Sequence, residues 1–215
     1  AMAEPLRTVR AQLVASLGGI DEARSPWLLP PLAGGVERFQ RSVEAAVRDT
    51  DTASQAVAVL PELLGAEGER RYLVAFGTPA EARELGGFMG AYAVLAARDG
   101  DLRLASSHRV LNLNVFFKGS QLTDPTALPT SYLAMLPQRF WHNMTATPSF
   151  PTMAAAVDQL WQPPRAGRLD GLLYLDPHTL AALLEVTGPI RVEGHQARLT
   201  AGNAARFLLR DQYTE

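Results

Sequence analysis

The chain has 215 residues, 47% of them hydrophobic and 20% charged, which excludes the disordered class and is enough for a substantial core. Its net charge of -2 gives no general electrostatic reason to bind nucleic acid or an anionic membrane, so any anion site needs a local cluster of arginines. The chain contains no cysteine, which excludes disulfides, thiolate nucleophiles and cysteine-ligated zinc.

Residues 1–64 are predicted to form an N-terminal helical arm. Apolar side chains recur at helical spacing from Leu6 to Leu17, and Gly18-Gly19 is the expected end of that helix. The proline-rich segment 25–31 is expected to be a rigid connector, and a second helical pattern follows from Val36 to Leu60. Neither helical pattern contains a motif that indicates chemistry.

Residues 65–215 are predicted to form an α/β domain with a mixed β-sheet and helices on both faces. Short apolar runs alternate with helical patterns along this part of the chain, which is typical of that class. Strands are expected at 71–76, 88–97 and 102–106, and Asp99-Gly100 is a suitable turn to join the last two into a hairpin.

Residues 111–152 are rich in Pro, Asn, Thr and aromatic residues and show no clear period. A stretch of this length without regular structure is typical of functional or mobile loops. The elements expected after it are a helix at 153–161, a strand at 169–175, a helix beginning at Asp176-Pro177, a strand at 190–192 and a last helix with Thr200 as its N-cap.

A strand at 70–74, a Glu-x-Arg element at 81–83 and Gly-Gly-Phe at 86–88 follow one another in this domain. This order resembles the bacterial domain of unknown function 4012 family. Further similar segments continue in order to the end of the chain, at 148–151, 169–171, 175–177, 183–189 and 209–213. Two positions depart from the family pattern, since Thr78 stands in place of the usual Asn and Ser149 in place of the usual Asp.

The layout of hairpin, variable region and strand–helix–strand–helix also resembles the LytR-CpsA-Psr group of envelope phosphotransferases. That group moves glycopolymers from polyprenyl-pyrophosphate carriers onto peptidoglycan or protein. The resemblance implies an extracytoplasmic position at the bacterial cell membrane and a polyprenyl-linked or cell-wall glycan as ligand. No apolar run approaches the roughly 20 residues of a membrane span, and both chain ends look cut, so we expect the full-length protein to be membrane-tethered by another segment.

The segment from Glu81 to Gly87 connects two predicted strands and holds the most specific residues of the chain. Arg83 is able to bind a phosphate or carboxylate bidentately, with backbone N–H groups near Gly86 and Gly87 adding a nest. A structural role fits the same residues, with Glu81 and Arg83 as an ion pair and the two glycines supplying positive φ. The segment leads into a strand, whereas phosphate loops open a helix, so it is neither a dinucleotide fingerprint nor a Walker loop.

Two other arginines are candidates for a phosphate site. The LytR-CpsA-Psr resemblance places an arginine after the second hairpin strand, where Arg109 falls, and others near the last helix, where Arg210 falls. If the domain is an enzyme of that type, Arg83, Arg109 and Arg210 neutralise a pyrophosphate. Glu81 or Asp211 then holds Mg²⁺ or takes a proton. The alternative is a solvated Arg109, and an Arg210 that pairs with Asp211 or caps the helix.

A second function is a non-catalytic module that binds cell-wall polysaccharide or a protein partner through residues 111–151. Arg139, Trp141 and Asn143 form the richest cluster of this segment, and such a set is typical both of carbohydrate contacts and of a loop that packs Trp141 into the core. Convergence of the three candidate arginines at the mouth of an apolar groove would favour the phosphotransferase-like function, and their dispersal would count against it.

The sequence does not identify a resident metal site. The four histidines, at 108, 142, 178 and 195, show no metal-ligand spacing. The chain also lacks the Gly-x-Ser-x-Gly motif of one large class of hydrolases. From the LytR-CpsA-Psr resemblance we expect a cell-envelope domain that binds an envelope ligand, and whether it also catalyses transfer stays open.

Overall fold

The computed structural model describes residues 3–23, 30–161, 167–194 and 198–213. The chain divides into two compact units, Ala1–Gly68 and Glu69–Glu215. Most of the expected connector at 25–31, and His195, lie outside the described residues.

The first unit is a pair of packed helices, α1 (Ala3–Ala23) and α2 (Pro30–Leu63). The expected end of α1 at Gly18-Gly19 was wrong, because the helix continues through both glycines. A glycine inside a helix costs roughly 1 kcal/mol relative to alanine, and the buried side chain of Ile20 directly after the pair offsets that cost. Within the described residues, no helix is both long and apolar enough to cross a membrane.

The second unit is built on a four-stranded mixed sheet, as predicted. Its strands are β1 (Arg70–Thr78), β2 (Phe88–Arg98), β3 (Asp101–Arg109) and β4 (Gly171–Leu175). They lie in the order β3-β2-β1-β4, with antiparallel pairs β1–β2 and β2–β3 and a parallel pair β1–β4. The hairpin turn at Asp99-Gly100 is confirmed, and both of its residues adopt positive φ, at 52° and 90°.

Alternating residues of β1 face two different layers. Leu73 and Ala75 belong to the main core, which also contains residues of the helices α3 (Leu111–Phe116) and α5 (Phe150–Leu160). Phe76, on the other face, lines a groove with residues of α6 (Pro177–Thr187) and α7 (Ala204–Leu209). The predicted arrangement of helices on both faces of a mixed sheet is therefore confirmed.

Residues 111–152 are more regular than the sequence predicts. They contain α3, the short helix α4 (Thr130–Leu133), and 3-10 turns at Pro125–Ala127 and Trp141–Asn143. Trp141 is fully buried and its ring stacks on Phe117 with the centroids 5.0 Å apart, so the segment forms part of the core. Helices of one or two turns are too short to give a periodic pattern, which is why the prediction missed them.

The C-terminal elements follow the predicted order with two shifted boundaries. Helix α5 begins at Phe150 with the Ser149 side chain as its cap, and α6 has the expected cap at Asp176. The expected cap of the last helix at Thr200 was wrong. The Asn203 side chain accepts the Thr200 N–H at 2.7 Å and thereby holds a turn, so α7 begins only at Ala204. The strands β5 (Ile190–Arg191) and β6 (Arg198–Leu199) form a separate two-stranded sheet.

Candidate functional site

The connection between β1 and β2, residues 79–87, is held by backbone hydrogen bonds to both sides. The Phe88 N–H donates to the Glu81 carbonyl at 3.1 Å, and the Leu85 N–H donates to the Thr145 carbonyl at 3.0 Å. Gly87 has a φ of 130°, and a Cβ there would lie 2.2 Å from the carbonyl oxygen of Thr78. Only glycine fits this close approach of two backbones, so the connection has one fixed path.

That path fixes the side chain of Arg83. Its Nη1 donates to the Ala82 carbonyl at 2.9 Å, and its Cζ lies 5.8 Å from the centroid of the Phe88 ring. The ion pair with Glu81 is loose, with 3.9 Å between Nη2 and Oε2, and the Glu81 side chain is 60% exposed. A surface pair of this kind contributes at most about 1 kcal/mol. The guanidinium is therefore positioned by the backbone and an aromatic ring, and it retains N–H groups for a ligand.

Arg83 lines a groove of about 950 Å³, called here the Arg83 groove. Its polar and aromatic side chains are Arg83, Glu84, Ser131, Tyr132, Thr147, Ser149 and Thr152. These residues come from the β1–β2 connection, from α4 and from the segment that leads into α5. The sequence did not predict this groove, because the three segments that form it are distant in the chain and no short motif links them.

Arg109 lines a different groove of about 620 Å³ on the other face of the sheet, called here the Arg109 groove. Its apolar lining comes from two strand ends, α6 and α7, through Phe76, Leu175, Leu180, Leu183 and Leu208. Its polar lining includes Thr78, Asp176 and Gln212. The sequence analysis singled out the arginine but not the leucines, which it placed only within the predicted strand and helices.

Arg109 stands at the end of β3, opposite Ala91 of β2. The next residue, Val110, donates its N–H to the Gly90 carbonyl at 3.0 Å, so the strand end is held in place. The Arg109 side chain is exposed, and no acidic group of the described residues forms an ion pair with it. Its charge is therefore not neutralised by a described neighbour.

Arg210 belongs to a surface ion-pair cluster. Arg206 and Arg210 both bind Asp211, with their Nε atoms 3.0 and 3.1 Å from its carboxylate oxygens. Neither Arg210 nor Asp211 lines the two grooves described above. Of the two roles left open by the sequence, pairing of Arg210 with Asp211 is the one observed.

The three candidate arginines therefore do not line the same groove. Arg83 and Arg109 line two different grooves, and Arg210 lies outside both linings. The physical reason is that the end of α7 presents its apolar residue Leu208, and then Gln212, to the Arg109 groove. Arg210, between these two positions, pairs with Asp211 at the surface.

A stack of rings connects Arg83 with Arg139, which the sequence assigned to different sites. The ring of His142 lies 5.5 Å from Phe88 on one side and 5.5 Å from Phe140 on the other. Arg83 covers Phe88 at 5.8 Å, and Arg139 covers Phe140 at 5.2 Å. Burial lowers the pKa of His142, the positive charge of Arg83 lowers it further, and Glu81 opposes both. His142 is therefore neutral at pH 7, and the two arginines are the positive charges of this stack.

The other candidates of the 139–143 cluster serve the scaffold. Trp141 is fully buried, and its backbone N–H donates to the Asn114 side chain at 2.8 Å. The Asn143 amide donates to the Met135 carbonyl at 2.7 Å. The sequence left two roles open for Trp141, contact with a ligand and packing into the core, and packing into the core is the one observed because its ring is fully buried.

The described residues contain no group of three or more His, Asp or Glu side chains placed to hold a metal ion. The two carboxylates proposed for Mg²⁺ belong to different ion pairs, Glu81 with Arg83 and Asp211 with Arg206 and Arg210. Binding of Mg²⁺ stays a prediction.

Comparison with known proteins gives one match. Neither a curated protein nor a solved structure matches the chain. Residues 67–213, more than half of the chain, match the family described as "Protein of unknown function (DUF4012)". The resemblance seen in the Glu-x-Arg and Gly-Gly-Phe elements is thereby confirmed, and the chain belongs to the DUF4012 family.

Proposed function

We propose that the α/β unit binds an amphipathic envelope ligand, a polyprenyl phosphate or pyrophosphate, in the Arg109 groove. The apolar chain lies along the leucines of the groove, and the phosphate is bound by Arg109. The observation that carries this proposal is an apolar groove that contains an arginine without an acidic partner in the described residues.

The apolar wall suits a hydrocarbon chain. Leu183 is 49% exposed and Phe76 is 37% exposed, so the groove holds apolar surface in contact with water. Covering that surface gains about 25 cal/mol per Å². The volume of about 620 Å³ falls within the range of small-molecule sites.

The charges of the groove support Arg109 as the residue that binds the phosphate. A guanidinium binds phosphate oxygens through two parallel N–H donors, and Arg109 has no ion pair to give up. Asp176 also lines the groove. Burial alone would raise the pKa of Asp176, but the two hydrogen bonds from Thr179 and the neighbouring His178 lower it. Asp176 is thus ionised at pH 7 and disfavours an anion beside it, which leaves Arg109 as the phosphate ligand.

The proposal is limited to binding. Phosphotransfer of the LytR-CpsA-Psr type requires several convergent cations to stabilise the developing charge on the phosphate. Among the described residues of the lining, Arg109 is the cation, while Arg83 and Arg210 lie elsewhere. The extracytoplasmic position and the membrane tether implied by the resemblance belong to the same proposal, since polyprenyl carriers reside in membranes.

The test is titration of the chain with farnesyl pyrophosphate, with and without Mg²⁺, followed by thermal unfolding. A ligand at a hundredfold excess over its Kd stabilises the native state by about 2.7 kcal/mol. We expect this stabilisation in the wild type and in Arg210→Gln, which changes an arginine outside the groove. We expect it to be largely lost in Arg109→Gln.

Two partial ligands separate the two halves of the site. Inorganic pyrophosphate lacks the apolar chain and farnesol lacks the phosphate, and we expect each to stabilise the wild type much less than farnesyl pyrophosphate does. A wild type that farnesyl pyrophosphate does not stabilise, or an Arg109→Gln variant that it stabilises equally, contradicts the proposal.

A further inference from the structure

The Arg83 groove has a polar wall made of hydroxyl groups. Ser131, Thr147, Ser149 and Thr152 all line it. The Thr147 hydroxyl accepts the Ser149 N–H at 3.2 Å, and the Ser149 hydroxyl accepts the Thr152 N–H at 3.3 Å. Because the Ser149 hydroxyl acts as an acceptor within the protein, its own O–H group remains able to donate to a ligand. Thr147 is only 4% exposed, and it holds the Ser149 backbone in place.

Arg83 supplies this groove with a positive charge of fixed orientation. Its side chain is 29% exposed, and its buried Nε has no hydrogen-bond partner among the described residues. The bond to Ala82 uses Nη1, and Glu81 is 3.9 Å from Nη2. A held guanidinium loses little side-chain entropy when it binds a carboxylate or phosphate through its planar fork.

The remaining wall is apolar and rigid. Tyr132 is 2% exposed, and its hydroxyl donates to the Met144 carbonyl at 3.1 Å. Burial raises the pKa of this hydroxyl, so it stays protonated. Met135 and Pro148 also line the groove and add apolar contact surface. The exposed carboxylate of Glu84 is an acceptor at the same groove.

This combination of groups selects among ligand classes. Hydroxyl donors and a carboxylate acceptor match a ligand with many hydroxyl groups, and the apolar wall matches the C–H face of a sugar ring. One held guanidinium matches one anionic group, whereas the nearby carboxylates of Glu81 and Glu84 disfavour a polyanion. A hydrocarbon chain would leave the hydroxyl groups without partners, which is costly once water is removed.

We propose that the Arg83 groove is a second binding site, specific for a saccharide that carries one anionic group. The anionic group binds Arg83, and the sugar hydroxyls bind the accessible hydroxyls of the wall, those of Ser131, Ser149 and Thr152. This site does not rest on the polyprenyl site proposed above, since the two share no lining residue.

The test is an NMR titration of the full chain with glucuronic acid and, as the neutral counterpart, glucose. We expect glucuronic acid to bind the wild type about tenfold more tightly than glucose, a difference of about 1.4 kcal/mol. In Arg83→Gln we expect the affinity for glucuronic acid to fall to that for glucose. Arg83→Lys keeps the charge without the planar fork and should retain part of the preference.

Two control variants show whether a change in binding is specific to the charge of Arg83. Arg109→Gln should bind glucuronic acid like the wild type, and Ser131→Ala/Thr152→Ala should weaken both sugars by a similar factor. Glucose 1-phosphate identifies the anionic group, because tighter binding than glucuronic acid indicates a sugar phosphate and weaker binding indicates a uronic acid. Equal affinity of the wild type for glucose and glucuronic acid, or an unchanged preference in Arg83→Gln, overturns the proposal.

Discussion

The two grooves of the α/β unit each hold one arginine and differ in almost everything else. The Arg109 groove is walled by leucines of α6 and α7, whereas the Arg83 groove is walled by hydroxyl side chains and the ring of Tyr132. Arg109 has no ion pair in the described structure, while Arg83 is held by a backbone carbonyl and an aromatic ring. The surroundings of each arginine therefore determine which ligand it fits, although the two charges are the same.

The difference arises from how each wall is built. Helix α6 uses Leu184 for a small core with Leu199 and Ala204, and it presents Leu183 to the Arg109 groove. The helix thus has an apolar surface left over after its own core is complete. The hydroxyl wall of the Arg83 groove comes instead from the ends of short helices, where serine and threonine serve as caps and turn residues.

Gly87→Ala should destabilise the unit most, because it disrupts the connection that positions Arg83. The new Cβ would meet the Thr78 carbonyl oxygen at 2.2 Å, and a φ of 130° is strained for any residue with a side chain. We expect the free energy of unfolding to fall by about 3 to 5 kcal/mol, as measured by urea denaturation. Arg83 would also lose its position.

Gly90→Ala is the matched control for Gly87→Ala. A Cβ at Gly90 lies 3.7 Å from its nearest neighbour, a ring atom of Phe88, which is an ordinary contact. We expect a change in stability of less than about 1 kcal/mol for this variant. Equal destabilisation by both substitutions would show that the connection does not have the fixed path described above.

Asp170→Asn tests the sheet that both grooves share. The Asp170 carboxylate accepts the Arg71 N–H at 2.8 Å and pairs with the Arg70 guanidinium at 3.0 Å, which joins β1 to the start of β4. We expect a loss of about 1.5 to 3 kcal/mol, as for hydrogen bonds to a charged group. Asp158→Asn, which changes an exposed carboxylate on α5, should leave the stability within about 0.5 kcal/mol.

The pKa of Asp170 also predicts how the stability of the protein depends on pH. Burial alone would raise the pKa of Asp170, but the hydrogen bonds from Arg71 and Arg70 outweigh it, so the folded pKa lies below the ordinary value of 3.8. A depressed folded pKa stabilises the native state above the unfolded pKa, and this stabilisation is lost as the pH falls through the folded value. The wild type should therefore lose more stability than Asp170→Asn when the pH falls below about 4; parallel curves would contradict the assignment.

Asp176→Ala should have a smaller effect than Gly87→Ala and Asp170→Asn, and one that is confined to the Arg109 groove. Asp176 caps α6 by accepting the N–H and the hydroxyl of Thr179, both at 2.7 Å. Removing an N-cap costs about 1 kcal/mol, and Asp176→Asn should preserve most of the cap. Glucuronic acid binding should be unchanged in both variants. If Asp176→Ala weakened that binding, the two grooves would not be independent.

The sequence predicts the sheet well because its signals are local. The strand at 71–76, the hairpin turn at Asp99-Gly100 and the cap at Asp176 depend on neighbouring residues, and all three are confirmed. The end of α1 and the cap of α7 were wrong where packing or a side-chain hydrogen bond overrode a local preference. Gly18-Gly19 lies inside a packed helix, and Asn203 replaces Thr200 at the start of α7.

The candidate sites were less predictable because they depend on contacts between distant segments. Nothing near Arg139 in the sequence indicates that three rings connect it to Arg83. Arg210 was grouped with Arg109 on a resemblance in layout, but its neighbour Asp211 binds it at the surface. A single sequence shows which residues are able to bind an anion, whereas the fold determines which of them share a groove.

One NMR experiment tests whether the unit has two independent grooves of different chemistry. The amide signals of the wild type are followed while farnesyl pyrophosphate and glucuronic acid are added separately and then together. We predict that farnesyl pyrophosphate shifts signals around Ala91 and Leu180, that glucuronic acid shifts signals around Ala82 and Thr152, and that neither ligand changes the affinity for the other. Overlapping sets of shifted signals, or competition between the two ligands, would contradict this independence.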